Sequence, residues 1–135
     1  MSQALPVQRL GSRLPTLRTV LTLDAMSCLL LGLGLTVFSA SLSPLLGLPA
    51  TLLQGAGLVL LPCAALMWIA ARQTRPSPML VWLIVLGNLA WSAASLWVAW
   101  IAFTPTALGL TFVLAQAAFV LAMAGLEWRG RARPR

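Results

Sequence analysis

Two long stretches of the chain carry no charged residue at all. They cover residues 25–71 and 76–126, and both are strongly apolar. A helix that crosses a bilayer needs about 20 consecutive, mainly apolar residues, so each stretch is long enough for two such helices. Only 8% of the 135 residues are charged, against about 25% in an ordinary soluble domain. The sequence therefore predicts an all-α integral membrane protein that folds as one four-helix bundle.

Interruptions of the apolar pattern define four spans, at about 19–38, 52–71, 79–103 and 106–128. The connector at 39–51 is uncharged and rich in Ser, Pro and Gly, and we expect it to rest in the membrane interface. The connector at 104–106 is so short that the last two spans must form an antiparallel hairpin. We predict an up-down-up-down bundle over 19–128, preceded by a basic lead at 1–18 and followed by an Arg-rich tail at 129–135.

The basic residues all fall on one side of this layout, and all of them are arginines. They precede the first span, join the second to the third, and follow the fourth: Arg9, Arg13, Arg18, Arg72, Arg75, Arg129, Arg131, Arg133 and Arg135. By the positive-inside rule both termini are cytoplasmic. Clusters of arginine at a membrane surface also favour anionic lipid headgroups as partners. Arginine without lysine is typical of a GC-rich genome, so we expect a multi-pass protein of the bacterial cytoplasmic (inner) membrane.

The sequence lacks the side chains that several chemistries require. The chain has no histidine, and its two cysteines, Cys28 and Cys63, are too far apart in sequence for a Cys-x-x-Cys pair. We therefore expect no metal, haem or other cofactor. The two acids are Asp24, inside the first span, and Glu127, which the pattern puts at the interfacial end of the fourth. Without a nucleophile and base, or two carboxylates in reach, we expect no enzyme, and nothing indicates a nucleic-acid partner.

Small residues recur at intervals of three and four along the last two spans. They form a predicted helix-packing seam made of Ser92, Ser95 and Ala99 on the third span and Thr111, Ala115, Ala118, Ala122 and Gly125 on the fourth. In lipid, helices are held together by the close approach that small side chains permit. In a hairpin centred on Pro105, Ser95 should meet Ala115 and Ser92 should meet Ala118.

Polar side chains within the spans form the candidate functional site: Asp24, Cys28, Cys63, Asn88 and Gln116. An ionised residue at the centre of a membrane helix is unfavourable by about 2.5–3.5 kcal/mol, so Asp24 needs partners. We expect it to face Asn88, with Arg18 or Arg72 approaching from the inner interface. Such a layer serves either as hydrogen-bonding contact between helices or as a binding site.

Short segments of the chain resemble small four-span inner-membrane proteins of proteobacteria, a family without known activity. They are Leu-Asp-Ala at 23–25, Gly-Asn-Leu-Ala-Trp at 87–91, Leu-Ala-Gln-Ala at 114–117 and Leu-Glu-Trp-Arg at 126–129. The first function class that remains is a non-catalytic membrane subunit, scaffold or accessory protein, acting as a homo-oligomer or with a membrane-protein partner. The alternative is a small proton-coupled transporter that uses Asp24 as its coupling carboxylate.

Overall fold

The computed structural model describes residues 16–131, and this part of the chain is helical apart from short connectors. In chain order the helices are α1 (Leu17–Val37), α2 (Ser39–Leu46), α3 (Ala50–Arg72), α4 (Pro78–Trp97), which continues as a π-helical turn (Val98–Ala102), and α5 (Ala107–Arg131). Four of them, α1, α3, α4 with its π turn, and α5, are long and apolar enough to cross a membrane. The predicted all-α architecture of four long apolar helices is confirmed. Most of the basic lead and of the tail lies outside the described residues.

The long helices associate as two closely packed pairs, α1 with α3 and α4 with α5. Gly32 and Gly57 let the first pair approach backbone to backbone, because a Cβ at Gly57 would lie only 2.7 Å from the Gly32 carbonyl oxygen. The two pairs join mainly where α1 packs on α5, with Gly130 against Leu17. Helices α3 and α4 touch much less, so the bundle is least closed between them.

One end of the bundle carries the arginines that belong to the described residues, and we call it the arginine end: Arg18, Arg72, Arg75, Arg129 and Arg131. The Arg18 guanidinium donates a hydrogen bond of 3.3 Å to the Gln73 carbonyl oxygen. The Arg131 guanidinium lies 3.5 Å from the centre of the Trp128 ring, which meets the Trp82 ring edge to face at 4.7 Å. Aromatic rings and long basic side chains are typical of a membrane–water interface.

The opposite end is closed by α2, a helix that the Ser-, Pro- and Gly-rich composition of the connector at 39–51 did not predict. The helix ends at Gly47, whose φ of 68° is in the left-handed region that glycine adopts without strain. Thr106 then ties α2 to the start of α5, since its hydroxyl donates to the Leu45 carbonyl at 2.7 Å. Gly109 is required here, because a Cβ at this position would overlap the Leu46 carbonyl oxygen. The predicted connector is thus a helix docked on α5.

The predicted helix-packing seam is correct on α4 and wrong on α5. Ser92, Ser95 and Ala99 are buried, whereas the predicted α5 members are exposed on the surface of the bundle: Thr111, Ala115, Ala118, Ala122 and Gly125. The buried face of α5 contains Gly109, Val113, Ala117, Val120, Ala124 and Glu127. Alanine-rich sequence offers both faces at the same spacing, so its periodicity does not fix the rotation of the helix. The docking of α2 on Gly109 and the burial of Glu127 fix it instead.

Candidate intramembrane carboxyl site

Asn88 of α4 connects two acidic side chains through one amide group. Its Nδ2 donates to Asp24 Oδ2 of α1 at 2.8 Å and to Glu127 Oε1 of α5 at 2.7 Å. The exposed fraction is 0% for Asp24 and for Glu127, and 5% for Asn88. Because an amide nitrogen carries two hydrogens, both are used in these bonds. The contact between Asp24 and Asn88 that the sequence predicted is therefore present, and a second acid shares it.

The Asn88 bridge crosses the centre of the bundle. Within residues 16–131 the backbones of α1 and α4 make no close approach, since these helices lie diagonally opposite each other. The Asp24 and Asn88 side chains reach across that diagonal, and Glu127 meets them from α5. We call these three residues the carboxyl cluster. It links three of the four long helices through polar atoms in a mainly apolar interior.

The geometry of the carboxyl cluster favours a proton on one acid. Asp24 Oδ2 and Glu127 Oε1 accept hydrogen bonds from the same Asn88 nitrogen, so the two carboxyl groups are close neighbours. An ionised carboxylate only accepts hydrogen bonds, so a bond between the two exists only when one of them is protonated. Glu127 Oε2 is buried and has no hydrogen-bond partner among the described residues, which a shared proton would supply. Two negative charges this close in a low-dielectric interior would repel strongly. The arrangement fits one proton and one negative charge.

The prediction that Arg18 or Arg72 approaches Asp24 is wrong. Arg18 bonds to the Gln73 carbonyl, and the Arg72 guanidinium lies 5.6 Å from the centre of the Trp68 ring. Asp24 is six residues further along α1 than Arg18, or about 9 Å along the helix axis. Long basic side chains near the end of a membrane helix extend towards the interface, where their charge is hydrated. In residues 16–131, the carboxyl groups of Asp24 and Glu127 accept hydrogen bonds from Asn88 and Cys28.

The other predicted site residues divide between two places. Cys28 Sγ lies 3.8 Å from Asp24 Oδ1 and 3.9 Å from Met67 Sδ, so this thiol borders the carboxyl cluster. Cys63 lines a cavity with Cys28 and Asn88. Gln116 is elsewhere: its Oε1 accepts from Trp91 Nε1 at 2.8 Å and its Nε2 donates to Ser95 Oγ at 2.9 Å. It therefore belongs to a separate polar group nearer α2.

Glu127 is the site residue that the sequence reasoning missed. The fourth span was expected to end at 128, which left Glu127 at the interface. Helix α5 continues to Arg131, so Glu127 lies a full turn inside it. Its burial follows from the rotation of the helix, because positions 113, 117, 120, 124 and 127 share one face. The signal in the sequence was that an acid falls on this alternative face, in phase with Gly109.

Two cavities adjoin the polar groups, and Trp91 borders both. The inner cavity, of about 260 Å³, is lined by residues of all four long helices, including Cys63, Met67 and Asn88. The outer cavity, of about 160 Å³, is lined by Ser95, Gln116 and apolar side chains. In the described part of the chain, no three acidic, cysteine or histidine side chains converge as metal ligands.

Comparison of the chain with protein-family models, with curated proteins and with solved structures finds no match.

Proposed function

We propose that this protein is a small proton-coupled transporter that binds its proton at the Asp24–Glu127 pair. One observation carries the proposal: two fully buried acids share a single bridging amide and have no basic partner within residues 16–131. Ionisable side chains inside a bundle of membrane helices are unfavourable, and they are typical of proton relays and ion pathways. A pair that holds one proton can gain a second, which removes its negative charge. That change of charge is the elementary step of proton coupling.

A non-catalytic membrane subunit, scaffold or accessory protein is the second candidate. It is favoured by the way in which Asn88 ties α1 to α5 across the bundle. Hydrogen bonds between membrane helices contribute about 0.6 kcal/mol each on average, so such a bridge can serve assembly alone. In that case the acids keep a fixed protonation state, and the protein acts through lipid, through a homo-oligomer or through a membrane-protein partner.

Protonation of the pair can be measured without knowledge of the transported substrate. The chain has only two acidic side chains, so carboxyl bands in its infrared spectrum are simple to assign. Purified protein in nanodiscs should show a protonated-carboxyl band that changes with pH. Asp24→Asn and Glu127→Gln should each alter this band, and the double variant should retain only the contribution of the C-terminal carboxyl group. A band in the wild-type protein that does not change with pH would overturn the transporter proposal in favour of a scaffold.

The Asp24→Asn variant also separates the two candidates by function. It preserves the shape of the side chain and removes the charge. A scaffold should assemble and remain folded with little loss. A proton-coupled transporter should lose the pH dependence of its transport.

We also propose that the arginine end faces the cytoplasm and that the membrane is the bacterial inner membrane. The described arginines lie at one end, which agrees with the positive-inside rule. A fluorescent-protein fusion after Arg135 should fluoresce, because its reporter folds in the cytoplasm. A periplasmic phosphatase fused after Ser43 should be active. Phosphatase activity from a fusion at Arg135 would refute this orientation.

A further inference from the structure

The inner cavity opens where the bundle is least closed. It lies between α3 and α4, the neighbouring long helices that touch least, and its wall is almost entirely apolar. An opening between two membrane helices faces the acyl chains of the bilayer, so a hydrophobic molecule can enter sideways from the lipid. The inner cavity has a volume of about 260 Å³, which exceeds the roughly 150 Å³ of an engineered apolar cavity that binds benzene. A ligand with one aromatic ring and a short substituent therefore fits in the inner cavity.

Asn88 contributes a polar acceptor to this apolar wall. Both hydrogens of its amide are donated to the acids, and no residue within 16–131 donates to its Oδ1. The residue is 5% exposed and lines the cavity. Asn88 Oδ1 is not fully buried, so a ligand that carries an N–H or O–H group in the cavity can reach this acceptor and bond to it.

The negative charge of the carboxyl cluster, next to Asn88, favours a cationic ligand over a neutral one. The carboxyl cluster holds one negative charge when it carries one proton, and it has no basic partner in the described residues. Asp24 Oδ1 contacts the Cys28 thiol, which is itself part of the cavity wall. At the low dielectric of a membrane interior, a monocation in the cavity would be strongly attracted. Trp91 borders the same space, and an indole ring can attract a cation placed over its face.

We propose that the inner cavity binds a lipophilic ammonium ion whose N–H donates to Asn88 Oδ1. This inference rests on the proposed proton-coupled transporter and names its substrate class. The ion binds while the carboxyl cluster carries its negative charge. Uptake of a second proton by the pair cancels that charge and weakens binding, so proton and ammonium ion compete.

The experiment compares three probes of similar shape with the full chain in nanodiscs. The probes are N,N-dimethylphenethylammonium, its N,N,N-trimethyl analogue, which lacks the N–H, and a neutral hydrocarbon of the same skeleton. Binding is followed by calorimetry and by tryptophan fluorescence, with empty nanodiscs as the control for partition into lipid. We expect the dimethyl ion to bind at least tenfold more tightly than the hydrocarbon, and about fivefold more tightly than the trimethyl ion, the value of one hydrogen bond. Its affinity should fall as pH is lowered.

A pair of glycine variants tests the location. Gly87 lines the cavity, and a Cβ there would meet no atom within 4 Å, so Gly87→Leu can fill the space without a backbone clash. We expect this variant to weaken binding of the dimethyl ion at least tenfold. Gly55 of α3 is equally unhindered and lies outside the described cavities, so Gly55→Leu should bind as the wild type does. Equal binding by both variants would overturn the assignment of the cavity.

The outcomes for the two proposals are distinguishable. If the infrared band of the wild-type protein changes with pH but the ammonium ion binds no better than the hydrocarbon, the inferred substrate is wrong and the proton site stands. If the band does not change with pH, the proposed function fails, and with it the competition between proton and ammonium ion. Both proposals are supported together if the infrared band changes with pH, the dimethyl ion binds selectively, and this binding is lost in Gly87→Leu.

Discussion

Replacement of Gly57 by alanine tests the closest approach in the bundle. A Cβ at this position would lie 2.7 Å from the Gly32 carbonyl oxygen and 2.5 Å from Thr36 Oγ1, where ordinary contact begins at 3.4 Å. The Gly32 oxygen belongs to the backbone and cannot rotate away. Helices α1 and α3 would have to separate by about 0.7 Å, the amount by which 2.7 Å falls short of 3.4 Å. A gap of about 0.5–1 Å removes a quarter to a half of the dispersion attraction between facing atoms.

The expected loss can be isolated with Gly55 on the same helix. A Cβ at Gly55 meets nothing within 4 Å, so Gly55→Ala gains only the helix propensity of alanine, about 0.5–1 kcal/mol. Gly57→Ala has the same gain, which cancels when the two variants are compared. The difference in their free energies of unfolding then measures the packing defect, and we expect about 1–3 kcal/mol.

The assay is reversible unfolding in mixed detergent micelles, with helix content followed by circular dichroism as the denaturing detergent is increased. Gly57→Ala should unfold at a lower denaturing fraction than wild type, and Gly55→Ala at an equal or higher one. Equal midpoints for the two variants would refute the close contact between α1 and α3.

Three further comparisons use neighbouring or matched positions. Gly109→Ala should lower the free energy of unfolding by about 1–3 kcal/mol because its Cβ would overlap the α2 backbone. Gly125→Ala has open space around it and should not lower stability. Equal midpoints for the two variants in detergent unfolding would contradict the docking of α2. Ala117→Leu should destabilise the α4–α5 contact and Ala118→Leu should be mild in the same assay, since only Ala117 is buried; the reverse order would restore the predicted seam. Asn88→Ala should cost about 1–3 kcal/mol near neutral pH and less in acid, where both carboxyls are neutral; a loss independent of pH would show that its bonds do not depend on charge.

The contact between Asp24 and Asn88 was predictable because it depends on depth, which the sequence encodes well. The ends of apolar runs fix where each helix enters the membrane, and the rise of 1.5 Å per residue then places every side chain along the axis. Asp24 and Asn88 both lie in the half of the bundle nearer the arginine end, with Asn88 about one turn deeper. Polar groups at similar depth in an apolar interior attract each other, whichever way the intervening helices are arranged.

Rotation about the helix axis was not predictable in the same way. On α4 a single stripe of Asn and Ser residues marks the buried face, and Ser92 and Ser95 are buried as expected. On α5 alanines occur on both faces, so small-residue spacing fits two rotations equally well. The choice is made by contacts from elsewhere in the chain: α2 against Gly109 at one end, and Asn88 with Glu127 at the other. Neither contact leaves a local signature in the sequence of α5.

The proposed proton site is consistent with the energetics of the carboxyl cluster. An ionised acid at the centre of a membrane helix is unfavourable by about 2.5–3.5 kcal/mol, and this is an upper bound for Asp24 and Glu127, which lie nearer the arginine end. An interhelical hydrogen bond returns about 0.6 kcal/mol on average, and the bridging amide makes two of them. An asparagine at position 24 or a glutamine at position 127 would keep an acceptor for Asn88 without carrying a charge. What the pair provides, and a neutral residue does not, is a site whose charge changes when one proton arrives, placed beside a cavity that opens to lipid.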